Sequence, residues 1–479
     1  MLRNMRKTVL ALVLAALAMP AAAQVTLDSC RAMALRNNKQ VLQANLDIEK
    51  ANYQKKEAKA AYLPSFDLMG GYFYNSRKIS LLSEDARLPV LNFDLASQSY
   101  QYGTVINPLT GGVLEVNGQQ VPAQVALLPK SGMTYNIHNL MGGAITLTQP
   151  IYMGGKITAM NKMAEYAQEL ASTMRRGKVE DILYNVDAAY WQVVSLKSKQ
   201  KLARSYVELV RSLDDDVKAM VQQGVATRAN QLTVDVKLNE ANVDQTKVDN
   251  GLVLARMLLA ELCGLPVNET FTLADEDRDD LGATLNATSF DMNTVYSNRY
   301  DIHALELATN IYDQKVKVAR SEMLPKVAAL GAFHVTNPNT YNGFKNRFGA
   351  AFTVGVTLKM PLWHWGGLTA KVRQAETDAA IKRLELADAK DKIELQVNQA
   401  SFRYQEAYKT YEATKANLAE AEENLRIANI AFKEGVGTVD DVLAAQTAWL
   451  KANSEKVDAE IDVQLSYVYL NKVMGTMKY

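Results

Sequence analysis

The sequence predicts a mainly α-helical fold with transmembrane β-strands, built from a helix-strand-strand-helix-helix unit that is written twice. Three observations carry this. Short motifs recur at fixed offsets along the chain. Segments 157–222 and 368–434 are long helical runs, and the second holds 67 residues without glycine or proline, roughly 100 Å of helix at about 1.5 Å per residue. Four runs of about ten residues alternate between apolar and small or polar side chains, the length of a tilted bilayer-crossing strand.

The chain opens with an export signal over 1–23. Arg3, Arg6 and Lys7 precede the apolar stretch Val9–Met19, and Ala21, Ala22 and Ala23 form a small-residue cleavage pattern before Gln24. Eleven apolar residues are too few to span a bilayer, and no later run approaches 18. A membrane crossing, if made, therefore uses strands.

The repeat is read from matched positions. Gly224-Val225-Ala226-Thr227 matches Gly435-Val436-Gly437-Thr438 at an offset of 211, as do Pro150 with Pro361 and Gly264 with Gly475. Leu63-Pro64 matches Leu324-Pro325 at an offset of 261. The first copy thus carries about 50 extra residues, placed within 76–138, where Asn117-Gly118 between apolar positions signals a hairpin.

In order, the first copy (24–263) reads as a short helix 28–62, strands near 65–75 and 140–149 around the 76–138 insertion, the long helix 157–222, a tip turn 224–227 and a short helix 228–263. A polar, acidic connector follows over 264–292 and reads as a solvated segment. The second copy (293–479) has a short helix 293–322, strands near 326–336 and 348–359, the long helix 368–434, a tip turn 435–438 and a short helix 439–474. Two short helices end to end match one long one, so each copy supplies one continuous and one broken rod.

The long helices keep a heptad. In the second copy one column is Ile393, Ala400, Ala407, Thr414, Ala421, Ala428 and the other Val397, Tyr404, Tyr411, Leu418, Leu425, Phe432. Shifted by 211, the first copy keeps the phase through Ile182, Ala189, Val210 and Val217, and through Val186, Val193, Val207, Asp214 and Val221. A 3.5-residue period means supercoiled, interlocking helices, in either a solid bundle or a hollow ring.

The strands are the second half of the prediction. Phe352, Val354, Val356 and Leu358 share one face against Thr353, Gly355, Thr357 and Lys359, and Phe66, Leu68, Tyr72 and Tyr74 line up likewise. Four strands leave open edges, which lipid does not tolerate. Two copies would give eight strands and a filled interior; three give twelve and leave a bore. The expectation is a homotrimer.

Composition narrows the function classes. With 53 basic and 52 acidic side chains the net charge is +1, which gives no field for nucleic acid. Two cysteines and four scattered histidines (His138, His303, His334, His364) offer no metal-ligand spacing. Gly154-Gly155-Lys156 resembles half a phosphate loop, but Ile157 occupies the Ser/Thr position. With no nucleophile elbow or catalytic pair either, the chain reads as a non-enzyme without metal or cofactor. The rival class is a secreted coiled-coil scaffold or surface adhesin, which would share the heptads but would not need four bilayer-length strands.

The plan resembles the TolC-like outer-membrane efflux proteins over essentially the whole mature chain. The matching residues are Thr26-Leu27-Asp28-Ser29-Cys30 with Ala34-Leu35-Arg36-Asn37-Asn38, the steps Leu63-Pro64 and Leu324-Pro325, and the corners Gln149-Pro150-Ile151 and Met360-Pro361-Leu362 with their paired glycines. They end with Val436-Gly437-Thr438 before Asp441-Val442-Leu443. The resemblance implies an outer-membrane homotrimer: twelve strands in lipid, a long helical tunnel in the periplasm, and docking onto a periplasmic adaptor and an inner-membrane transporter as the exit duct of an efflux or secretion system. It implies adaptor docking at Gly224, Val225, Ala226, Thr227 and at Gly435, Val436, Gly437, Thr438, with Ala226 departing from the glycine of the pattern. It also implies a gate of acidic rings near that end, drawn from Asp214, Asp215, Asp216, Glu420, Glu422 and Glu423. Asp214 is preferred because it sits in an otherwise apolar heptad column. Cys30 and Cys263 fall near mid-length of the rods, where export would allow either a disulfide or two thiols.

Overall fold

The computed structural model describes residues 24–269, 271–278, 285 and 290–477. The export signal expected over 1–23, and Asp279 and Asp280 of the connector, lie outside the described residues.

In chain order the elements are α1 (Leu27–Asn37), α2 (Lys39–Ala60), β1 (Ser65–Tyr74), eight short strands, β10 (Asn139–Met153), α3 (Lys156–Gln222), α4 (Arg228–Leu262), α5 (Met292–Asn298), α6 (Tyr300–Ser321), β11 (Lys326–Asn337), β12 (Gly349–Lys359), α7 (Gly367–Lys433) and α8 (Val439–Val473). The short strands are β2 (Ile79–Ser80), β3 (Ala86–Pro89), β4 (Leu91–Asp94), β5 (Ser99–Tyr102), β6 (Glu115–Val116), β7 (Gln119–Gln120), β8 (Val125–Leu128) and β9 (Thr134–Tyr135). They pair in twos, β2 with β9, β3 with β8, β4 with β5 and β6 with β7. Between β6 and β7, Asn117 and Gly118 both take positive φ, +54° and +78°, as a two-residue hairpin turn of this twist requires.

The chain forms two compact units, and they cut across the repeats rather than separating them. Residues 58–157 and 319–368 hold the strands; the remainder holds most of the helices.

In the strand unit the four long strands form one antiparallel sheet in the order β1-β10-β11-β12. Ser65 pairs with Thr148, and Lys326 with Lys359. Adding the offsets 261 and 211 to the first pair gives the second, so the two hairpins share one register. The apolar face carries Phe66, Leu68, Tyr72 and Tyr74 of β1, Ile145 of β10, Phe333 of β11, and Phe352, Val354, Val356 and Leu358 of β12, all exposed. No second layer covers it among the described residues. An uncovered apolar sheet of this extent suits hydrocarbon, not water. No helix among the described residues is long and apolar enough to cross a membrane.

In the helical unit the heptad columns are the buried side chains. Ile182, Val186, Ala189, Val193, Val207, Val210 and Val217 of α3, and Ile393, Val397, Ala400, Tyr404, Ala407 and Tyr411 of α7, are buried. Three apolar clusters follow along the rods. One gathers α1, α3 and α4, a second α5, α7 and α8, and a third surrounds Val217, Val234, Phe432, Val439 and Val442.

The short helices expected over 28–62 and 293–322 are each broken once. Asn38 and Arg299 take extended ψ values of 126° and 122°. The cause is an anchor shared by both copies. Asn38 Nδ2 donates to the Leu262 carbonyl at 3.0 Å, and Arg299 Nη1 donates to the Val473 carbonyl at 2.8 Å. Each satisfies a carbonyl that the end of α4 or α8 leaves without a partner in its own helix. Gly264 and Gly475 then reverse the chain at φ +71° and +68°; a Cβ there would fall 2.6 Å from Asn37 and 2.9 Å from Asn298.

Candidate functional site

The two tip turns are built alike. After α3, Gly224 takes φ +78°, and Val225 and Ala226 donate back to the Met220 carbonyl at 2.9 and 3.3 Å. After α7, Gly435 takes φ +77°, and Val436 and Gly437 donate to the Ala431 carbonyl at 3.0 and 2.9 Å. The left-handed glycine ends each rod and feeds its last carbonyls. Thr227 and Thr438 then cap α4 and α8. Thr438 Oγ1 accepts from the Asp441 amide at 3.2 Å, while Asp441 Oδ2 accepts from the Thr438 amide at 3.0 Å. Asn230 closes the same reciprocal box with Thr227. Hydrogen bonds from the Thr438 hydroxyl and amide hold the Asp441 carboxyl below the usual carboxylate range.

At the apices Val225 and Val436 stand out at 69% and 82% exposed. Gly437 is where the copies differ. A Cβ there would meet the Phe432 nitrogen at 3.0 Å and the Ala431 Cβ at 3.2 Å. Ala226 carries that Cβ in the first copy, and its turn bond is correspondingly longer. Both turns rest on the third cluster, which holds Val217, Val234, Phe432 and Val439 together. The tips therefore present two exposed valines on a capped, rigid base.

The acidic residues separate into two sets. Asp214 is 2% exposed, lying beside Val210 and Val217 with Lys218 Nζ donating to its Oδ2 at 2.5 Å. The heptad column that singled it out takes it into the packing of a single chain. Within this one chain Asp214 is therefore packed rather than exposed, unlike its acidic neighbours. Asp215, Asp216, Glu420 and Glu422 are exposed. Glu423 is exposed too but tied to Arg426 at 2.6 Å.

Cys30 and Cys263 are fully buried and adjacent, yet both are free thiols, and Cys263 Sγ lies 3.6 Å from the Cys30 carbonyl. The bridge that export would allow is not present. Contact with the Cys263 thiol, then burial, holds the Cys30 thiol far above its usual value, so it stays protonated.

Four buried carboxylates besides Asp214 were missed from the sequence, Glu180, Asp187, Glu276 and Glu460; Glu276, tied to Arg256 at 2.7 Å, corrects the reading of the connector as solvated there. Asp187 of α3 has no exposed surface and takes both Arg31 Nε and Nη2, at 2.8 and 2.6 Å. Glu180, one heptad earlier, is buried beside Arg299 and Lys472. Burial pushes its carboxyl up to about 7, against the pull of Arg299 and with help from Asp181. An acid raised in the folded state loses stability as pH climbs from its unfolded value through the raised one. Glu180→Gln should therefore raise the thermal midpoint at pH 8, by about 2 kcal/mol of stability, and the gain should vanish near pH 5. Circular dichroism melts at both pH values check this; an equal gain at both would refute it.

The duplicated rods, capped tips and lipid-ready sheet meet their counterpart in a single family description, outer membrane efflux protein, which matches residues 31–265 and 292–476. The chain belongs to the outer membrane efflux protein family. Among curated relatives, outer membrane protein TolC of Vibrio cholerae is 21% identical over 74% of this chain and 83% of its own length. The outer membrane efflux protein BepC of Brucella suis is 23% identical over 78% of this chain and 83% of its own. Among solved structures, the open-state MtrE channel of Neisseria gonorrhoeae superposes with a TM-score of 0.70 at 15% identity, covering 94% of this chain and 91% of its own. CusC reaches 0.72 at 14% identity over 95% and 93%. The family member described here is an outer-membrane protein with a large periplasmic helical part, as its sequence resemblance implied.

Proposed function

We propose that three copies of this chain form the passive exit duct of a tripartite efflux or secretion system, with an adaptor protein at the tips and an inner-membrane transporter beyond it. The observation that carries the reading is the four-stranded sheet, whose outer strands β1 and β12, among the described residues, each keep an unpaired edge beside an uncovered apolar face. Lipid requires closure, and three sheets of four strands close with a bore. A soluble scaffold or adhesin would have to cover that face. The mature repeats 24–263 and 293–479, joined by 264–292, would then each supply one hairpin to the barrel, with the 76–138 hairpins beyond it on the extracellular side. Mass measurement of the detergent-solubilised complex should return three chains and planar bilayers should show conductance; a monodisperse dimer would refute the stoichiometry.

The tips 224–227 and 435–438 are the proposed docking surface, and Asp215, Asp216, Glu420 and Glu422 the proposed gate carboxylates. Rings of like charge attract cations and strain a closed state. Asp215→Asn combined with Asp216→Asn should lower the cation-over-anion permeability ratio roughly severalfold in planar bilayers. An unchanged reversal potential in a salt gradient would remove these residues from the gate.

A further inference from the structure

The side of the sheet away from its apolar face carries one arrangement that the fold does not need. Phe352, Val354, Val356 and Leu358 turn one way on β12, so Thr353, Gly355, Thr357 and Lys359 turn the other. On β11 Phe333 lies on the apolar side opposite Phe352, so Lys326, Ala328 and Ala332 face with Lys359. Lys326 is the first residue of β11 and Lys359 the last of β12, so both stand at the end of the sheet where the helices join. They are direct cross-strand partners, with Cβ atoms roughly 4.5–5.5 Å apart, and like charges so placed repel. Neither lysine forms an ion pair among the described residues.

The duplication supplies the comparison. Under the offsets 261 and 211 the same two positions of the first hairpin are Ser65 and Thr148, which pair in the same way. A hairpin of this register therefore closes with uncharged side chains there, and the lysine pair is peculiar to the second copy. Apart from His334, the ionisable acids and bases of the four long strands are Asp67, Lys326 and Lys359, so positive charge prevails on this face. Asp67 opposes Thr146, and Thr146 opposes Ala332, six residues along β11 from Lys326. That is roughly 20 Å at about 3.4 Å per residue, beyond the screening length of about 8 Å at physiological salt. The corner past Lys359 is also open. A Cβ on Gly154, after β10, would fall 2.7 Å from the Ser321 carbonyl, whereas its counterpart Trp365, at φ +48°, is 88% exposed.

Resting on the trimeric reading above, we propose that Lys326 and Lys359 of three copies form a girdle of six ammonium groups inside the bore, at its helix end, that binds the phosphate, sulfate or carboxylate groups of molecules entering the strand-lined part. Two ammonium groups on neighbouring strands give two charge-assisted hydrogen bonds to one such anion, and the anion relieves their mutual repulsion. Lysine suits a transient hold: its ammonium is a strongly hydrated point charge without the fixed fork of arginine, so the anion is gathered and released. Rings of lysine or arginine favour anions in pores, provided that each site is weak enough to leave. The sign is opposite to that of the carboxylates proposed for the gate.

The test is block of the full chain's current in planar bilayers, with tripolyphosphate as the probe. Lys326→Ser with Lys359→Thr installs the pair that the first hairpin already carries, so the sheet should form and the trimer should conduct. At low salt tripolyphosphate should block the wild-type current, and a block places the anion in the bore rather than on a surface facing lipid. Several exposed ion pairs, each weak, combine to roughly tenfold in affinity, so the double variant should need roughly tenfold more probe for half-block. Its reversal potential in a potassium chloride gradient should shift towards cations. Lys326→Arg with Lys359→Arg should be blocked like the wild type. The carboxylates near the tips are unchanged in every chain compared, so they cannot produce the difference. Half-block of the serine and threonine double variant within about twofold of wild type overturns the girdle. So does a conducting wild-type trimer that tripolyphosphate does not block. A chain that forms no conducting trimer overturns the parent reading, and the girdle falls with it.

Discussion

Gly437→Arg should abolish export while leaving the folded trimer in place. The apex of the second tip is a bare backbone turn, with Val436 outward and Gly437 behind it. An arginine adds a long cation to a surface proposed to seat another protein. Removing shape complementarity at the centre of an interface typically costs several kcal/mol of binding. The cost to the fold is small by comparison. Gly437 does not require positive φ, and Ala226 shows that the turn accepts a Cβ by stretching one bond from 2.9 to 3.3 Å, so about 1 kcal/mol is expected. Export should be measured in cells where this chain is the sole channel of its family, together with trimer yield and single-channel conductance of the purified variant. Normal export would remove the second tip from docking. Ala226→Arg is the matched test of the first.

The second large effect is expected at Arg31. Its guanidinium forks onto Asp187, which has no exposed surface. Burial, the largest influence, holds the Asp187 carboxyl above its usual value, and Arg31 draws it back. Arg31→Met keeps the aliphatic bulk but leaves a buried carboxylate alone, a loss of about 3–5 kcal/mol. The sign with pH follows. Without Arg31 the folded-state pKa climbs further, so the folded form holds its proton to higher pH than the unfolded one. The destabilisation should be greatest near pH 8 and shrink as pH falls through the raised value. Adding Asp187→Asn should recover much of it. A thermal midpoint for Arg31→Met within 1 °C of wild type at pH 8 would show that the fork contributes nothing.

Much of the architecture was legible because it is periodic. The heptad columns are the buried faces of α3 and α7, and the two offsets read from prolines and glycines reappear as the shared register of the hairpins. What escaped was aperiodic. The breaks at Asn38 and Arg299 are made by hydrogen bonds to carbonyls more than 170 residues away, and no local propensity marks them. Asp214 shows the opposite case: a charge in an apolar column stands out in the sequence, but the partner that packs with it, Lys218 one turn on, is evident only in the fold. Arg31 with Asp187 and the Glu180 cluster likewise need the fold before their partners can be named. The tip turns were readable because their geometry is local, four residues deciding glycine, apex and cap.

That one register serves both hairpins bears on how such a chain arises. A half-length ancestor with one hairpin and one pair of rods could tile the same circumference in six equal copies, every junction identical. With both halves in one chain, alternate junctions are covalently distinct and free to differ. The 76–138 hairpins on one half, and a tryptophan at 365 where the other half must keep glycine at 154, are differences that sixfold equality would have forbidden.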